Sequence, residues 1–133
     1  MSNNHNKSIY VTRHFSFFEK ILIKKRKEIL ISIKEFLKDF EINDVLDIGS
    51  TEDKKNVSSN YLIKNLGNYK VYKSISDQDI NSNFFSKTLK KSITEEFTEN
   101  EIKEFQSDMV ISNATIEHVG NFENQIKMCR NII

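Results

Sequence analysis

A short apolar segment that ends in an acid, a glycine and two hydroxyls lies at residues 44–51, which read DVLDIGST. The carboxylate of Asp47 could accept a hydrogen bond from an amine or hydroxyl of a ligand. Gly49 could let a ligand approach the backbone closely, or adopt a conformation that a side chain would forbid. Backbone N–H groups near Ser50 and Thr51 could hold a carboxylate or phosphate if a helix began nearby. This is the chemistry of a cofactor-binding turn, although a single glycine also suits a plain strand-to-helix turn.

A second apolar segment with a polar end lies at residues 108–119, which read DMVISNATIEHV. The amide of Asn113 could contact a cofactor or cap the turn after the strand. His118 could act as a general base, and the simpler interpretation is a structural or pocket-lining residue. Glu117 has the same two interpretations. Because ligands bind at the carboxyl ends of strands in open α/β sheets, we expect the polar ends of both segments at one edge.

The N-terminal third of the chain predicts a long helix. Apolar residues recur at helical spacing over residues 15–40, which predicts one helix or two in series. Its predicted apolar face comprises Phe18, Leu22, Ile29, Ile33, Phe36 and Phe40. Four basic residues at 24–27 could form a phosphate-binding patch, but we favour a solvated face whose lysine stems lie along the helix.

Strand and helix patterns alternate in the rest of the chain. We predict strands at residues 45–48, 69–75, 92–97 and 108–112, and helical segments at 57–66, 84–89 and 122–132. Residues 99–105 predict a short polar helix or a turn. This alternation predicts an α/β fold, a partial Rossmann-like doubly wound sheet of about four mainly parallel strands. We assign residues 1–43 to an N-terminal tail and helical extension, and residues 44–133 to the sheet domain.

Length and composition narrow the class of protein. A chain of 133 residues suits one modest domain, and a net charge of +1 gives no electrostatic argument for nucleic acid or an anionic membrane as partner. No run approaches the roughly 18 apolar residues of a membrane-spanning helix, and the N-terminus lacks the apolar core of a secretory signal. The single cysteine, Cys129, excludes an intrachain disulfide, and three scattered histidines predict no metal site. We expect a cytoplasmic protein.

The two polar-ended segments resemble motifs of a known enzyme family. VLDIGS resembles the first motif of class I S-adenosylmethionine (SAM)-dependent methyltransferases, and SDMVISNATIEHV resembles the fourth-strand motif of their small-molecule branch. NFENQIKMCRNII is similar to the family's following helix, where an arginine near the end matches Arg130. About sixty residues separate the two motifs, which suits two intervening βα units. The resemblance covers residue 44 to the C-terminus. It implies SAM as cofactor and a small-molecule or sugar-like methyl acceptor.

The resemblance also implies which residues contact the cofactor. They lie at or after the strand ends, at Asp47, Gly49, Ser50, Thr51, Ser74, Asp77, Thr94 and Asn113. Ser74 stands where the family normally has an acid that binds the ribose hydroxyls, and Asp77 is the nearest acid. Thr94, with Ser92 and Glu95 as alternatives, is the candidate for the adenine contact. His118 is the candidate catalytic base.

The resemblance further implies an incomplete domain. The family's sheet has about seven strands with the first at its centre, and this chain supplies about four. We therefore predict a truncated methyltransferase that is weakly active or inactive, with an open sheet edge suited to self-association. One alternative is a non-catalytic Rossmann-like interaction module that uses this edge. A nicotinamide-dependent oxidoreductase is disfavoured, because GxGxxG is absent and no acid ends the second strand.

Overall fold

The four strands of the protein form one parallel sheet, as seen in a computed structural model that describes residues 16–52, 58–113 and 115–132. The strands are β1 Asp44–Ile48, β2 Val71–Ser76, β3 Lys87–Lys90 and β4 Met109–Ser112, and the helices are α1 Ser16–Leu37, α2 Tyr61–Asn65, α3 Glu99–Phe105 and α4 Phe122–Ile132. All three strand pairings are parallel. The predicted α/β, Rossmann-like fold is confirmed. No helix in these ranges is long and apolar enough to cross a bilayer.

The first strand occupies an inner position of the sheet, whose order is β3-β2-β1-β4. β1 pairs with β2 on one side and with β4 on the other, so that Asp47 lies opposite both Ser74 and Ile111. The direction of strand addition reverses between β1 and β4. In open parallel sheets such a switch point opens a crevice at the carboxyl ends of the strands.

Alternation along β1 divides the core into two apolar layers. Val45 packs with α1 and α2 in a cluster whose buried members are Leu30, Val45, Leu62, Ile63, Leu66, Phe85 and Ile111. Leu46 and Ile48 point to the other layer, with α3 and α4, in a cluster of Leu46, Ile48, Ile75, Ile93, Phe105 and Met128. Both faces of the sheet are therefore covered, as parallel sheets require.

The predicted apolar face of α1 is only partly the buried one, because Ile33 of that face packs against the sheet cluster and the other five predicted residues are exposed. Phe36 is 70% exposed and Leu22 is 48% exposed, whereas Leu30, outside the predicted face, is only 8% exposed. Ile33 and Leu37 pack beside Leu30 against the sheet cluster. The helix carries apolar residues on two sides, and periodicity alone does not say which side meets the sheet.

The segment between β2 and α3 also differs from prediction. The helix predicted at 84–89 is absent; β3 occupies Lys87–Lys90, and the strand predicted at 92–97 is a turn instead. β3 is an edge strand whose lysines and threonine are exposed, so it lacks a clear apolar alternation. Ile93 and Phe97 look strand-like in the sequence, but they fill the second core layer from the turn.

The helix predicted at 122–132 is confirmed, and of the two alternatives at 99–105 the helix is observed. A capping box starts α3, with the hydroxyl of Thr98 accepting from the backbone of Glu101 and the Glu101 carboxylate accepting from the backbone of Thr98. Of the helix predicted at 57–66, residue 57 lies outside the described residues, and the described part is helical at Tyr61–Asn65.

Candidate functional site

The turn after β1 is built around Gly49, whose φ is +87°. Its N–H donates to the carbonyl oxygen of Ile75 at 2.8 Å, which holds the turn against β2. A Cβ at this position would collide with the side chain of Thr115, whose Cγ2 would lie 2.8 Å away. Gly49 thus adopts a backbone conformation that residues with a side chain rarely adopt. Because it has no Cβ, Thr115 of the same chain can lie close to it.

One carboxyl and three hydroxyls form a buried polar group beside this turn, here named the Asp47 cluster (Asp47, Ser50, Ser74 and Ser76). The hydroxyl of Ser50 donates to the carboxylate of Asp47. The hydroxyl of Ser74 donates to Ser50 Oγ at 2.8 Å, and that of Ser76 donates to the Ser50 carbonyl oxygen at 2.7 Å. All four residues are buried. The cluster therefore ties the carboxyl ends of β1 and β2 together.

Burial controls the ionisation of Asp47. It raises the pKa of the Asp47 carboxyl to about 6, and the hydrogen bond from Ser50 offsets part of that rise. A carboxyl in such surroundings gains strongly from a nearby cation, because the cation stabilises the charged form that burial disfavours. A perturbed carboxyl at the carboxyl edge of a parallel sheet is a candidate binding group.

Of the backbone N–H groups foreseen as an anion site near Ser50 and Thr51, that of Thr51 is already hydrogen-bonded within the chain. The N–H of Thr51 donates to Asn60 Oδ1 at 3.1 Å, and Asn60 Nδ2 donates back to the Thr51 carbonyl oxygen at 2.6 Å. Among the residues that the structure describes after β1, the first helix begins at Tyr61. The buried side chain of Asn60 therefore occupies the Thr51 N–H, which an anion at this turn would need. Thr51 Oγ1 is buried and has no hydrogen-bond partner among the described residues.

A shallow pocket of about 100 Å³ lies next to this turn. Its lining comprises Thr51, Glu52, Asn60, Lys64, Ile80, Asn81 and Ser82. Sites that enclose a cofactor usually measure roughly 300–1,000 Å³. The pocket in this conformation is therefore smaller than a whole nucleoside-containing cofactor.

The other predicted site residues are not joined to the Asp47 cluster by the hydrogen bonds described. Asp77 is exposed just beyond β2. Thr94 lies in the turn after β3, with its hydroxyl 2.9 Å from that of Ser92. Asn113 Nδ2 donates to the Ser59 carbonyl oxygen at 3.4 Å, which links the end of β4 to the segment before α2. His118 is exposed at the end of the 3-10 turn Ile116–His118.

Three residues that shape the edge were not singled out from the sequence. Ser76 follows Ser74 by two positions, so strand alternation would have placed both on one face. Thr115 lies inside the second motif, but its contact with Gly49 depends on how β4 is placed against β1. Asn60 gives no sequence signal for its role. Within the described ranges, no three His, Cys, Asp or Glu side chains come together as a metal site would require.

Nothing among protein-family models, curated proteins or solved structures matches this chain. Arguments about activity therefore depend on the motifs, the sheet order and the chemistry of its carboxyl edge.

Proposed function

We propose that this chain is a methyltransferase-type domain that binds SAM at the carboxyl ends of β1, β2 and β4 and serves a small-molecule or sugar-like acceptor in the cytoplasm. One observation carries the proposal. The inner strand β1 carries Asp47 next to its last residue and is followed by the positive-φ Gly49, beside the β1/β4 switch point. Ligands of open α/β sheets bind at that place in the fold.

The Asp47 cluster fits one part of SAM. The aminoacyl end of SAM carries an ammonium group, and a desolvated carboxyl with a raised pKa gains from such a cation. Ser50 already donates to this carboxyl and would hold it in place. We assign Asp47 as the group that would accept from the ammonium.

The end of β2 fits SAM less well. The hydroxyl of Ser74 is fully buried and committed to Ser50, so it does not fit a ribose-binding role. Asp77, exposed just beyond the strand, is the carboxylate left for the ribose hydroxyls. The side chain of Thr115 also covers Gly49, so a ligand would have to displace it to approach the turn. We therefore expect weak binding.

Methyl transfer makes few demands on the protein. The bound sulfonium would supply an activated methyl group, and the protein's part is to align the acceptor with it. A base is needed only where the acceptor must lose a proton. The exposed imidazole of His118 is the proposed base for such acceptors.

Calorimetric or NMR titration with SAM and with its demethylated product tests the proposal. We expect saturable binding with a Kd of about 0.1–1 mM, equivalent to roughly 4–5.5 kcal/mol. Asp47→Asn is expected to weaken binding about tenfold or more, because it removes a charge-assisted hydrogen bond. Asp39→Asn, an exposed carboxyl near the end of α1, is the matched control. Absence of binding at several times 1 mM, or binding of a nicotinamide cofactor instead, would contradict the proposal.

A non-catalytic interaction module is the second candidate. The observation that favours it is that, among the described residues of this edge, the Asp47 cluster is buried and the adjoining pocket measures about 100 Å³. A folded, self-associating chain that binds neither SAM nor its product would favour this candidate.

A further inference from the structure

The side chain of Thr115 fills the space that a ligand would need above the turn after β1. A Cβ added to Gly49 would lie 3.0 Å from the Cβ of Thr115, 2.8 Å from its Cγ2 and closer still to its Oγ1. The whole threonine side chain therefore stands where a group that approaches the Gly49 backbone would come to lie. The opening that glycine provides at this turn is occupied by the chain itself.

A hydrogen bond holds Thr115 in this position. Its hydroxyl donates to the carbonyl oxygen of Ile48 at 2.9 Å, and Ile48 is the last residue of β1. The two residues are 67 positions apart in the sequence, so the bond fastens the segment after β4 directly to the end of β1. A side chain of the same shape without a hydroxyl would fill the same space but would lack this fastening.

The 3-10 turn that follows Thr115 lies on the surface. All three residues of this turn, Ile116–His118, are exposed. The N–H of His118 donates to the Thr115 carbonyl oxygen at 2.9 Å, so the turn and the threonine are joined. The turn is followed at Gly120 by a second positive φ, of +99°. Segments with few buried side chains open at a small cost in free energy, so the stretch 115–118 can move away from β1 when the Thr115 hydroxyl releases Ile48.

The strength of this hydrogen bond sets how much it can change ligand affinity. One neutral hydrogen bond shifts an opening equilibrium by roughly 3- to 10-fold. The bond from Asn113 to the Ser59 carbonyl oxygen, in the same region, is 3.4 Å long and contributes less. Where a protein must open before it binds, the apparent dissociation constant is the intrinsic one divided by the open fraction. Loss of the Thr115 hydroxyl therefore tightens apparent binding by the same factor while the closed form predominates.

We infer that the hydrogen bond from Thr115 to Ile48 is a latch, which keeps the carboxyl edge of the sheet closed over Gly49 and opens before SAM binds. The inference rests on the proposed function and deepens it, because it names the contact that regulates access to the same site. A latch and a structural bond predict opposite results. Loss of a structural bond leaves SAM affinity unchanged or lowers it, whereas loss of a latch raises it.

Calorimetric titration of Thr115→Val with SAM tests the latch, because valine keeps the shape of threonine and lacks its hydroxyl. We expect a Kd about 3- to 10-fold below that of the wild type. Thr115→Ser keeps the hydroxyl and should stay within about twofold of the wild type, as should Thr88→Val, the matched control at an exposed position of β3. Equal or weaker binding by Thr115→Val, with a wild type that binds, would overturn the latch and leave the proposed function standing. Absence of binding by every protein would contradict the proposed function and the latch together.

NMR of the wild-type chain tests the latch without any substitution. The Thr115 methyl group lies against the Gly49 backbone, so a nuclear Overhauser effect between this methyl group and the Gly49 α-protons is expected in the free protein. Saturation with SAM should abolish this effect, because the threonine has to leave the turn. An effect that is missing in the free protein, or that persists at full strength in the SAM-bound protein, would overturn the latch.

Discussion

Thr115 donates its hydroxyl to the carbonyl oxygen of Ile48 at 2.9 Å and joins the loop after β4 to the end of β1. The same side chain rests on Gly49, where any added Cβ would collide with it. The requirement for glycine in the first motif thus comes from two sources, a positive φ and a neighbour supplied by the second motif. This contact couples the two segments from which the function was first inferred.

Gly49→Ala is expected to lower the free energy of unfolding by about 2–4 kcal/mol, because it combines an unfavourable φ with overpacking against Thr115. Gly67→Ala is the control: the nearest atom to its added Cβ lies 3.4 Å away on the ring of Tyr69, so a change below about 1 kcal/mol is expected. Urea unfolding measures both values. Combining Gly49→Ala with Thr115→Ala should restore the stability that is lost through overpacking and leave the loss that is caused by the unfavourable φ. Equal losses at Gly49 and Gly67 would contradict this account.

Asp47 makes stability depend on pH. The pKa of its carboxyl is about 6 in the fold against an ordinary 3.8, so the folded chain binds this proton more tightly than the unfolded chain does. The resulting stabilisation is complete below pH 3.8 and is lost as the pH rises through 6, by about 3 kcal/mol in all.

Asp47→Asn should remove this contribution to the pH dependence. The neutral amide can still accept from Ser50, and it escapes the desolvation of a carboxylate. We expect the variant to unfold with a higher free energy than the wild type at pH 7.5, and the difference to shrink towards pH 4. Urea unfolding at several pH values measures it, with Asp39→Asn as an exposed control. A constant difference between the two proteins across the range would contradict the assignment.

Lys73 crosses the α3 side of the sheet and is only 7% exposed. Its ammonium donates to the carbonyl oxygen of Gln106 at 2.6 Å and lies 3.4 Å from the carboxylate of Asp44. Lys73→Met keeps the length of the side chain but leaves the Gln106 carbonyl without this donor, so a loss of about 1–3 kcal/mol is expected. Lys70→Met, at an exposed position on the approach to β2, should change stability by less than about 0.5 kcal/mol. Chemical denaturation of the Lys73→Met and Lys70→Met variants measures the difference between their free energies of unfolding.

Leu30 and Leu22 compare the two sides of α1 directly. Leu30→Ala is expected to cost about 2–4 kcal/mol, because it leaves a cavity in the core layer. Leu22→Ala should cost less than about 1 kcal/mol, because Leu22 is 48% exposed. A larger loss of stability for Leu22→Ala than for Leu30→Ala would indicate that the helix face predicted from periodicity is the buried one.

Much of the fold was predictable because the signals were local. The apolar run of β1 and the acid–glycine order after it are encoded within a few neighbouring residues, and both lie where the sequence indicated. The edge strand β3 was missed because KTLK has exposed lysines and threonine, and only its pairing with β2 makes it a strand. The residues of the candidate site also fall into those that the local sequence indicated and those that it did not. Asp47, Gly49 and Ser50 were named from the motif, whereas Ser76, Asn60 and Thr115 act through hydrogen bonds or contacts with residues far along the chain.

The sequence by itself determined a parallel α/β sheet with a polar carboxyl edge, because strand and helix periodicity depend on spacing along the chain. Only the tertiary structure decided which side of α1 meets the sheet, which hydroxyls surround Asp47 and what rests on Gly49. Burial and the pKa of Asp47 depend on partners brought together from distant segments, and no local pattern specifies them. The same packing left Leu22, Ile29 and Phe36 of α1 largely exposed, since the sheet buries the side of the helix that carries Leu30, Ile33 and Leu37.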